Sequence, residues 1–239
     1  MKIAIIGYGK MGQMLESIAK ERGHEIALII DKENKHELNS ANLNNVDLVL
    51  EFSTPEMAFD NVRICLLAGK SVVCGTTGWL DKLGIAKELA ESGNGSLFYA
   101  SNFSLGVNLF FRINRLLAKY LEKYSGYEIS IEETHHTQKK DAPSGTAISL
   151  ASIINEEIAS IKGWTLLPEE KIDHIPIKSI REGNIPGTHS ITYNSEQDEI
   201  ILTHRAKSRK GFALGAILAA EYSLGKKGFL TMDSFLRLD

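Results

Sequence analysis

The stretch KIAIIGYGKMG, residues 2–12, decides the fold of the first part of this chain. A short apolar run, residues 3–6, leads directly into three glycines at the spacing GxGxxG. In a strand–turn–helix unit the first glycine permits a tight turn, the second lets the backbone approach a pyrophosphate, and the third lets helix and strand pack closely. The amides at the helix N-terminus then hold the phosphate charge. The pattern predicts a dinucleotide site formed by Gly7, Tyr8, Gly9, Lys10, Met11 and Gly12.

An acidic residue at the end of the second apolar run supports this interpretation. Asp31 follows the run at residues 26–30, where an acid typically binds a ribose hydroxyl. Asp31 would repel a 2′-phosphate, whereas Lys32 and Lys10 would attract one, so the choice between NADH and NADPH stays open. The alternative is a glycine turn that only packs a nucleotide-free sheet.

The first hundred residues alternate between short apolar runs and helical patterns. Runs at 3–6, 26–30, 46–52, 72–74 and 97–99 are too short for helices. Between them lie segments such as residues 55–70, where Pro55 suits a first helical turn and Gly69 a C-terminal cap. This alternation predicts an α/β domain with a Rossmann-type, doubly wound parallel sheet.

Two later turns of this domain also follow predicted strands. One contains Gly75, Thr76 and Thr77, and the other contains Ala100, Ser101, Asn102 and Phe103. Because ligands bind beyond the carboxyl ends of strands in such sheets, these turns are expected to line the nicotinamide side of the cofactor site. The alternative is ordinary turn chemistry.

The pattern changes after about residue 104. Residues 106–124 read as one long amphipathic helix, and a second helix is expected at about 145–160. Four segments, at 127–136, 174–183, 188–196 and 198–208, alternate like strands, which predicts an α+β domain with a mixed or antiparallel sheet. We expect a dinucleotide-binding domain at 1–104, completed by 211–239, and a substrate-binding and oligomerisation domain at 105–210.

Composition excludes several classes of function. The net charge of −3 argues against a general nucleic-acid binder, and the basic cluster at 204–210 is expected to be a solvated face or a small-anion site. No apolar stretch approaches the length of about 20 residues that spans a bilayer, and the first residues show no signal-peptide pattern. Cys65 and Cys74 lie in apolar segments without a CxxC spacing, as expected of buried thiols in a reducing compartment. A cytoplasmic protein is predicted.

The densest group of reactive side chains is THHTQKKDAPSGTA, residues 134–147. Ser144 marks a helix start, and the exposed amides of Gly145 and Thr146 predict an anion site. Lys139 adds a positive charge, and His135 or His136 could exchange a proton near neutral pH. The alternatives are hydrogen-bonded surface histidines and a solvated lysine turn. We expect no metal here, although His135, His136, Glu132, Glu133 and Asp141 are conceivable ligands.

This stretch resembles the HHxxKxDAPSGTA signature of the 4-hydroxy-tetrahydrodipicolinate reductase family, whose members act in diaminopimelate and lysine biosynthesis. Further family motifs follow in the same order along the chain: FSTPE (52–56), CGTTG (74–78), ASNFSLGVNL (100–109) and REGNIPGTHSI (181–191). The resemblance implies NADH or NADPH as cofactor, a small dicarboxylate as substrate and a homotetramer. It implies that His135 is the proton donor and acceptor, that Lys139 is the catalytic proton donor, and that His136, Gly145 and Thr146 hold the substrate carboxylates.

The sequence departs from the family in a few places. It is short around residues 33–45, Ser101 replaces the more usual Ala or Pro, and Asp31-Lys32 replaces a Glu-Arg pair. Two other functions are compatible with parts of the sequence. An amino-acid or semialdehyde dehydrogenase would share the glycine turn, but a semialdehyde enzyme needs a cysteine in a basic context. A protein that only senses NAD(P)H would not need His135 and Lys139.

Overall fold

The computed structural model describes residues 1–124 and 126–237. It forms two compact units, one made of Met1–Leu105 with Lys210–Asp239 and the other of Gly106–Arg209. These boundaries lie one residue from those expected. No helix in the described part of the chain combines the length and the apolar character that crossing a membrane requires.

Strands and helices alternate first and then segregate along the chain. The strands are β1 (Lys2–Ile6), β2 (Glu25–Ile30), β3 (Leu48–Glu51), β4 (Ser71–Cys74), β5 (Ser96–Tyr99), β6 (Glu128–His135), β7 (Gly163–Leu166), β8 (His174–Arg181), β9 (Thr188–Asn194), β10 (Glu199–Arg205) and β11 (Gly228–Leu230). The helices are α1 (Lys10–Glu21), α2 (Ser40–Leu43), α3 (Pro55–Leu67), α4 (Leu83–Ser92), α5 (Leu105–Leu121), α6 (Gly145–Glu157), α7 (Lys210–Ser223) and α8 (Met232–Leu236). Short 3₁₀ turns span Lys32–Glu37 and Leu80–Lys82.

The first unit is a six-stranded sheet in the order β11-β5-β4-β3-β1-β2, and every strand pair in it is parallel. This confirms the doubly wound parallel sheet that the alternating pattern predicts. The strand β11 was not predicted, and it extends the sheet beyond β5 by pairing Phe229 with Leu97.

Alternate residues of each strand pack on opposite faces of this sheet. Ile3 and Ile5 face a core that also contains buried residues of α1 and α7, whereas Ala4 and Ile6 face a core shared with α3 and α4. Each fully buried Ile or Leu contributes roughly 1.5–3 kcal/mol of apolar transfer free energy. Helix α7 packs closely because Gly215 has no side chain, and a Cβ there would collide with the carbonyl of Phe103.

The second unit is a mixed sheet in the order β10-β9-β6-β8-β7. Strands β10, β9 and β6 pair antiparallel, while β6, β8 and β7 pair parallel. The mixed sheet predicted from the sequence is therefore confirmed, although β7 was not predicted. Buried residues of α6 pack on the sheet together with Phe110 and Ala118 of α5.

A buried polar contact joins three elements of this second core. The Tyr193 hydroxyl donates to Asn114 Oδ1 at 2.9 Å, and Asn114 Nδ2 donates to the carbonyl of Leu150 at 3.1 Å. Burial raises the pKa of Tyr193, so its hydroxyl stays protonated as the donor. The contact joins β9, α5 and α6. Helix α6 begins within the stretch at residues 134–147.

Candidate active site

The glycine turn adopts the backbone that its sequence predicts. Gly7 has φ +89, and a Cβ on it would collide with the backbone of Phe52. Gly12 is buried, and a Cβ there would collide with the carbonyl of Gly7. Gly9 precedes α1 as its N-cap and has open space where a Cβ would stand. The N-terminal amides of α1 are thus open to an anionic group, as a pyrophosphate requires.

A crevice of about 550 Å³ adjoins this turn. Of the residues predicted to bind cofactor, Gly7, Tyr8, Gly9 and Asp31 line it. The backbone N–H of Asp31 donates to Asn34 Oδ1 at 2.8 Å, which fixes the chain where β2 ends. Lys32 and Lys35 line the same crevice, so an acid and two cations lie along it. Lys10 does not line it.

A second crevice, of about 320 Å³, lies at the ends of β4 and β5. It is lined by seven of the predicted residues: Met11, Gly75, Thr76, Thr77, Ser101, Asn102 and Phe103. Ala100 and Gly12, both buried, do not line it. The sequence did not identify Phe52 and Ser53, which line both crevices. Their position after β3 was the available signal, since β3 lies between β1 and β4.

A buried carboxylate holds the loops around these crevices. Glu51 is fully buried and accepts hydrogen bonds from Ser53 Oγ, from Asn61 Nδ2 at 3.2 Å and from Cys74 Sγ at 3.3 Å. The Ser53 N–H in turn donates to Thr76 Oγ1 at 2.9 Å. The ends of β3 and β4 are therefore joined through side chains as well as through the sheet.

Neither cysteine is a candidate nucleophile. Burial, followed by the charge of Glu51, raises the pKa of Cys74 well above its usual value and that of Cys65 to about 12. Both stay thiols at neutral pH, whereas nucleophilic cysteines need a lowered pKa. A thioester-forming semialdehyde dehydrogenase is thus not supported by this chain.

In the second unit, strand register assembles a group of ionisable residues. Glu133 of β6 lies opposite His189 of β9 and beside Ser179 of β8. His135, at the end of β6, places its Nε2 atom 3.2 Å from Glu133 Oε2 and 3.3 Å from His189 Nε2. All three side chains are buried, and His135 is 9% exposed. His135, the predicted proton-transfer residue, therefore contacts the Glu133 carboxylate and the His189 imidazole.

Glu133 is ionised despite its burial. Burial alone would raise its pKa, but hydrogen bonds from His135, Ser144, Ser179 and Arg181 outweigh burial and lower it. The Ser144 N–H, Ser179 Oγ and Arg181 Nη2 all donate to Oε1, at 3.1, 2.8 and 2.9 Å. A buried carboxylate with a guanidinium partner and two further donors meets the conditions for keeping its charge.

His136 lies apart from this group. Its backbone N–H donates to the carbonyl of Ile185 at 2.8 Å, and its Nε2 atom lies 3.3 Å from Arg209 Nη2. The adjacent histidines thus occupy different environments, as expected of neighbours at the end of a strand. Arg209 belongs to the basic cluster at 204–210, which brings a positive charge beside His136.

The predicted anion site begins α6. Ser144 is the N-cap, and its Oγ accepts a hydrogen bond from the Ala147 N–H at 3.3 Å. Gly145 is exposed and has open space around its Cβ position, and Thr146 follows it in the first turn. The helix has 13 residues, long enough to present a positive dipole end at these amides.

Three residues of this unit are close enough to consider as metal ligands. One ligand-type atom from each of Glu133, His135 and His189 lies within 4.8 Å of the other two. Glu133 already pairs with Arg181, and the two imidazoles hydrogen-bond to one another. Of the ligands considered from the sequence, Asp141 pairs instead with Lys139 and Glu132 with Lys178. The absence of a metal from the site stays a prediction.

Sequence reasoning missed several residues that surround His135. Glu133 was considered only as a metal ligand, while Arg181, Gly187 and His189 were noted only within a family motif. Gly187 has φ +157, and a Cβ on it would stand 2.8 Å from His135 Cε1. Only the strand register, which is not evident from a single sequence, brings these residues to His135.

Comparison with known proteins gives a consistent result. Residues 1–103 match the family model described as "Dihydrodipicolinate reductase, N-terminus", and residues 106–236 match "Dihydrodipicolinate reductase, C-terminus". The chain is 48% identical to the 4-hydroxy-tetrahydrodipicolinate reductase of Christiangramia forsetii over 99% of this chain and 98% of that protein. It is 34% identical to the same enzyme of Archaeoglobus fulgidus over 99% and 100% of the two chains.

A solved structure agrees with these sequence relatives. The dipicolinate-bound dihydrodipicolinate reductase from Paenisporosarcina sp. TG-14 superimposes with a TM-score of 0.82 at 26% identity, covering 98% of both chains. Both family models, the full-length relatives and this structure agree with the motifs read from the sequence. The chain belongs to the dihydrodipicolinate reductase family.

Proposed function

We propose that this protein reduces 4-hydroxy-tetrahydrodipicolinate to tetrahydrodipicolinate, with loss of water, at the expense of NADH or NADPH. One observation supports catalysis rather than cofactor binding alone. The short segment from His135 to Thr146 contains a buried proton-exchanging imidazole, an ammonium group and an open helix N-terminus. Together they can bind a carboxylate, stabilise developing negative charge and exchange a proton.

The first unit holds the cofactor, NADH or NADPH. The fit is supported by the open Cα of Gly9 at the start of α1 and by Asp31 in the adjoining crevice. The loops at residues 75–77 and 101–103 are proposed to contact the nicotinamide side, and the network around Glu51 keeps these loops in place. When bound, the reduced nicotinamide supplies the hydride.

The second unit grips the substrate by its carboxylates. The amides of Gly145 and Thr146 offer donors and the dipole of α6, and His136 with Arg209 offers a second cationic position. The dipicolinate bound to the Paenisporosarcina relative is a planar dicarboxylate, which supports this class of ligand. A dicarboxylate can bind both the α6 amides and the His136–Arg209 pair, whereas a monocarboxylate can bind only one of them.

Lys139 and His135 are proposed to manage charge and protons. A cationic Lys139 stabilises the negative charge that builds up when a hydride reaches a conjugated imine, and it donates the proton. His135 exchanges its proton with the reacting ring, backed by the charge of Glu133 at 3.2 Å. Electrostatic stabilisation by pre-placed groups is typically the largest contribution to such rate enhancements.

The decisive experiment is a turnover assay. Hydroxy-tetrahydrodipicolinate is generated in situ, and NADH or NADPH oxidation is followed by absorbance with this protein as the only variable. We expect steady, substrate-dependent oxidation. Oxidation with an amino acid or semialdehyde instead would favour the dehydrogenase alternative, and cofactor binding without turnover would favour a sensor.

A homotetramer in the cytoplasm is proposed as the working state. Support comes from an apolar stripe on α5, where Leu109, Ile113, Leu116 and Tyr120 recur at helical spacing and are each at least 44% exposed. Single proteins rarely expose continuous apolar surface, and closed homo-oligomers commonly cover it. Sedimentation analysis of the wild type and of Leu116→Glu tests this: a monomeric wild type would contradict it.

A further inference from the structure

A continuous chain of buried polar contacts runs from the start of α6 to His135. Ser144 Oγ lies 3.0 Å from His189 Nε2, and His189 Nε2 lies 3.3 Å from His135 Nε2. His189 is 4% exposed, and Ser144 is 2% exposed. The chain therefore connects the proposed carboxylate site with the proposed proton-transfer residue through protein groups alone.

His189 is neutral in this environment. Burial, followed by the charge of His135, lowers its pKa to about 4. A neutral imidazole has one nitrogen that carries hydrogen and one that accepts, and a single lone pair accepts one strong hydrogen bond. If Nε2 is the acceptor, it can serve either the Ser144 hydroxyl or the Nε2–H of His135, but not both at once.

Glu133 provides a second acceptor for the same His135 atom. Its Oε2 oxygen is buried and lies 3.2 Å from His135 Nε2, whereas the donors from Ser144, Ser179 and Arg181 all reach Oε1. A buried acceptor left without a donor costs about 1–3 kcal/mol, so Oε2 favours a hydrogen on the Nε2 atom of His135. When His189 Nε2 accepts from the Ser144 hydroxyl instead, the His135 N–H can donate to Glu133 Oε2 with little movement.

We propose that His189 and Glu133 are positioning residues for His135, and that His189 couples the ring of His135 to Ser144 at the start of α6. His189 Nε2 and Glu133 Oε2 keep the hydrogen of His135 on Nε2. The Nδ1 atom is thereby left to exchange the proton during reduction. The proposal rests on the proposed function, because it assigns roles within the same site.

The local backbone is built around this arrangement. Gly187 stands against the His135 ring, and any Cβ there would lie 2.8 Å from Cε1. The backbone of His135 is fixed as well, since its carbonyl accepts from the Glu182 N–H at 2.8 Å. Gly187 and the Glu182 N–H thus restrict the position of His135. Within that position, Glu133 Oε2 and His189 Nε2 determine which ring nitrogen carries the hydrogen.

The test compares two substitutions of His189 that differ only in chemistry. His189→Gln keeps an acceptor at similar reach, whereas His189→Leu fills the space without one. We expect Leu to lower kcat about 10- to 100-fold, the range for a misplaced catalytic group, with KM for NADH unchanged and Gln recovering much of the loss. A space-filling role predicts that Leu is tolerated at least as well as Gln, and that order would overturn the proposal.

A second readout does not depend on turnover. The ¹⁵N chemical shifts of the imidazole nitrogens report which atom of His135 carries hydrogen. We expect one tautomer, with hydrogen on Nε2, in the wild type and in His189→Gln, and a mixture in His189→Leu and Glu133→Gln. Unchanged His135 shifts in all variants would overturn the proposal, even if kcat falls.

The controls separate this proposal from the function itself. His174→Leu, on β8, replaces a side chain whose Nδ1 atom lies 2.9 Å from the Ile172 carbonyl oxygen, and it should change neither kcat nor the His135 shifts. Thermal melting checks that each variant folds, and two positions are tested in case one variant fails. A wild type that does not turn over the substrate would contradict the proposed function. The ¹⁵N measurement of the His135 tautomer would still test whether His189 and Glu133 position His135.

Discussion

Lys139 Nζ lies 2.9 and 2.8 Å from the two carboxylate oxygens of Asp141. The pairing lowers the pKa of Asp141, chiefly through the hydrogen bond from Lys139. The lysine side chain is 21% exposed, while that of Asp141 is 61% exposed. In the reaction proposed above, a substrate that approaches Lys139 must displace Asp141 from the ammonium group or share the ammonium group with it.

Replacing Lys139 should remove most of the catalytic rate. We expect Lys139→Ala to lower kcat by about 10²- to 10³-fold, as for loss of one general-acid or charge-stabilising group. Cofactor affinity should change little, because Lys139 lies in the other unit from the glycine turn. Lys140→Ala is the matched control, since Lys140 is an adjacent lysine whose side chain is exposed. A near wild-type kcat for Lys139→Ala would contradict the proposed role.

Gly187 should not tolerate a side chain. Gly187→Ala forces an L-residue to φ +157 and places its Cβ 2.8 Å from His135 Cε1. Such strained backbone costs about 1–3 kcal/mol, and displacement of the ring should lower kcat as well. Urea unfolding and steady-state kinetics measure both effects. Gly84→Ala, in α4 with open space around it, should be neutral or stabilising by up to about 1 kcal/mol; equal behaviour of the two variants would contradict the packing argument.

Asp31 should set the preference between the two cofactors. The carboxylate disfavours a 2′-phosphate, so NADH should be used at least as well as NADPH. Asp31→Ala should shift the ratio of kcat/KM values toward NADPH, because Lys32 and Lys35 remain in the same crevice. Glu33→Ala, two residues away and also exposed, serves as the control for a general loss of negative charge. Strong NADPH selectivity that is unchanged in Asp31→Ala would rule out this role.

Acid should destabilise the protein in two stages. The pKa of His189 is about 4 in the fold against an ordinary value of 6.5. Between these two pH values His189 is therefore protonated in the unfolded chain but not in the folded protein. Stability is then lost as pH falls from about 6.5 to 4, by up to about 3 kcal/mol. The pKa of Glu133 is lowered, so its contribution is lost only as pH falls below its ordinary value of 4.5.

The variant His189→Gln isolates the first stage. Urea unfolding between pH 4.5 and 7 should show a shallower pH dependence than in the wild type, because the other titrating groups are common to both proteins. Parallel curves for the two proteins would mean that His189 is not held neutral by the fold.

The features that could be predicted from the sequence are local ones. The glycine turn, the capped start of α6 at Ser144 and the long α5 all follow from neighbouring residues. The contact between His135 and His189 joins residues 54 positions apart, and it depends on the register that sets Glu133 opposite His189. Strand β11 was missed for a related reason, since its three residues carry too little pattern and pair with β5 far earlier in the chain. Non-local pairing, rather than residue type, limited the prediction.

The first unit is interrupted by the second in chain order, which has a consequence for synthesis. When the ribosome has made residues 1–105, the sheet still lacks β11, and one face lacks the buried alanines and Ile217 of α7. The second unit, a continuous segment, can complete its own core before α7, β11 and α8 are synthesised. The nascent first unit thus exposes an apolar surface until α7 and β11 have been synthesised, the situation in which incomplete domains aggregate or recruit chaperones. A stop codon just before α7 would leave an intact second unit attached to a sheet that lacks β11 and the buried residues of α7.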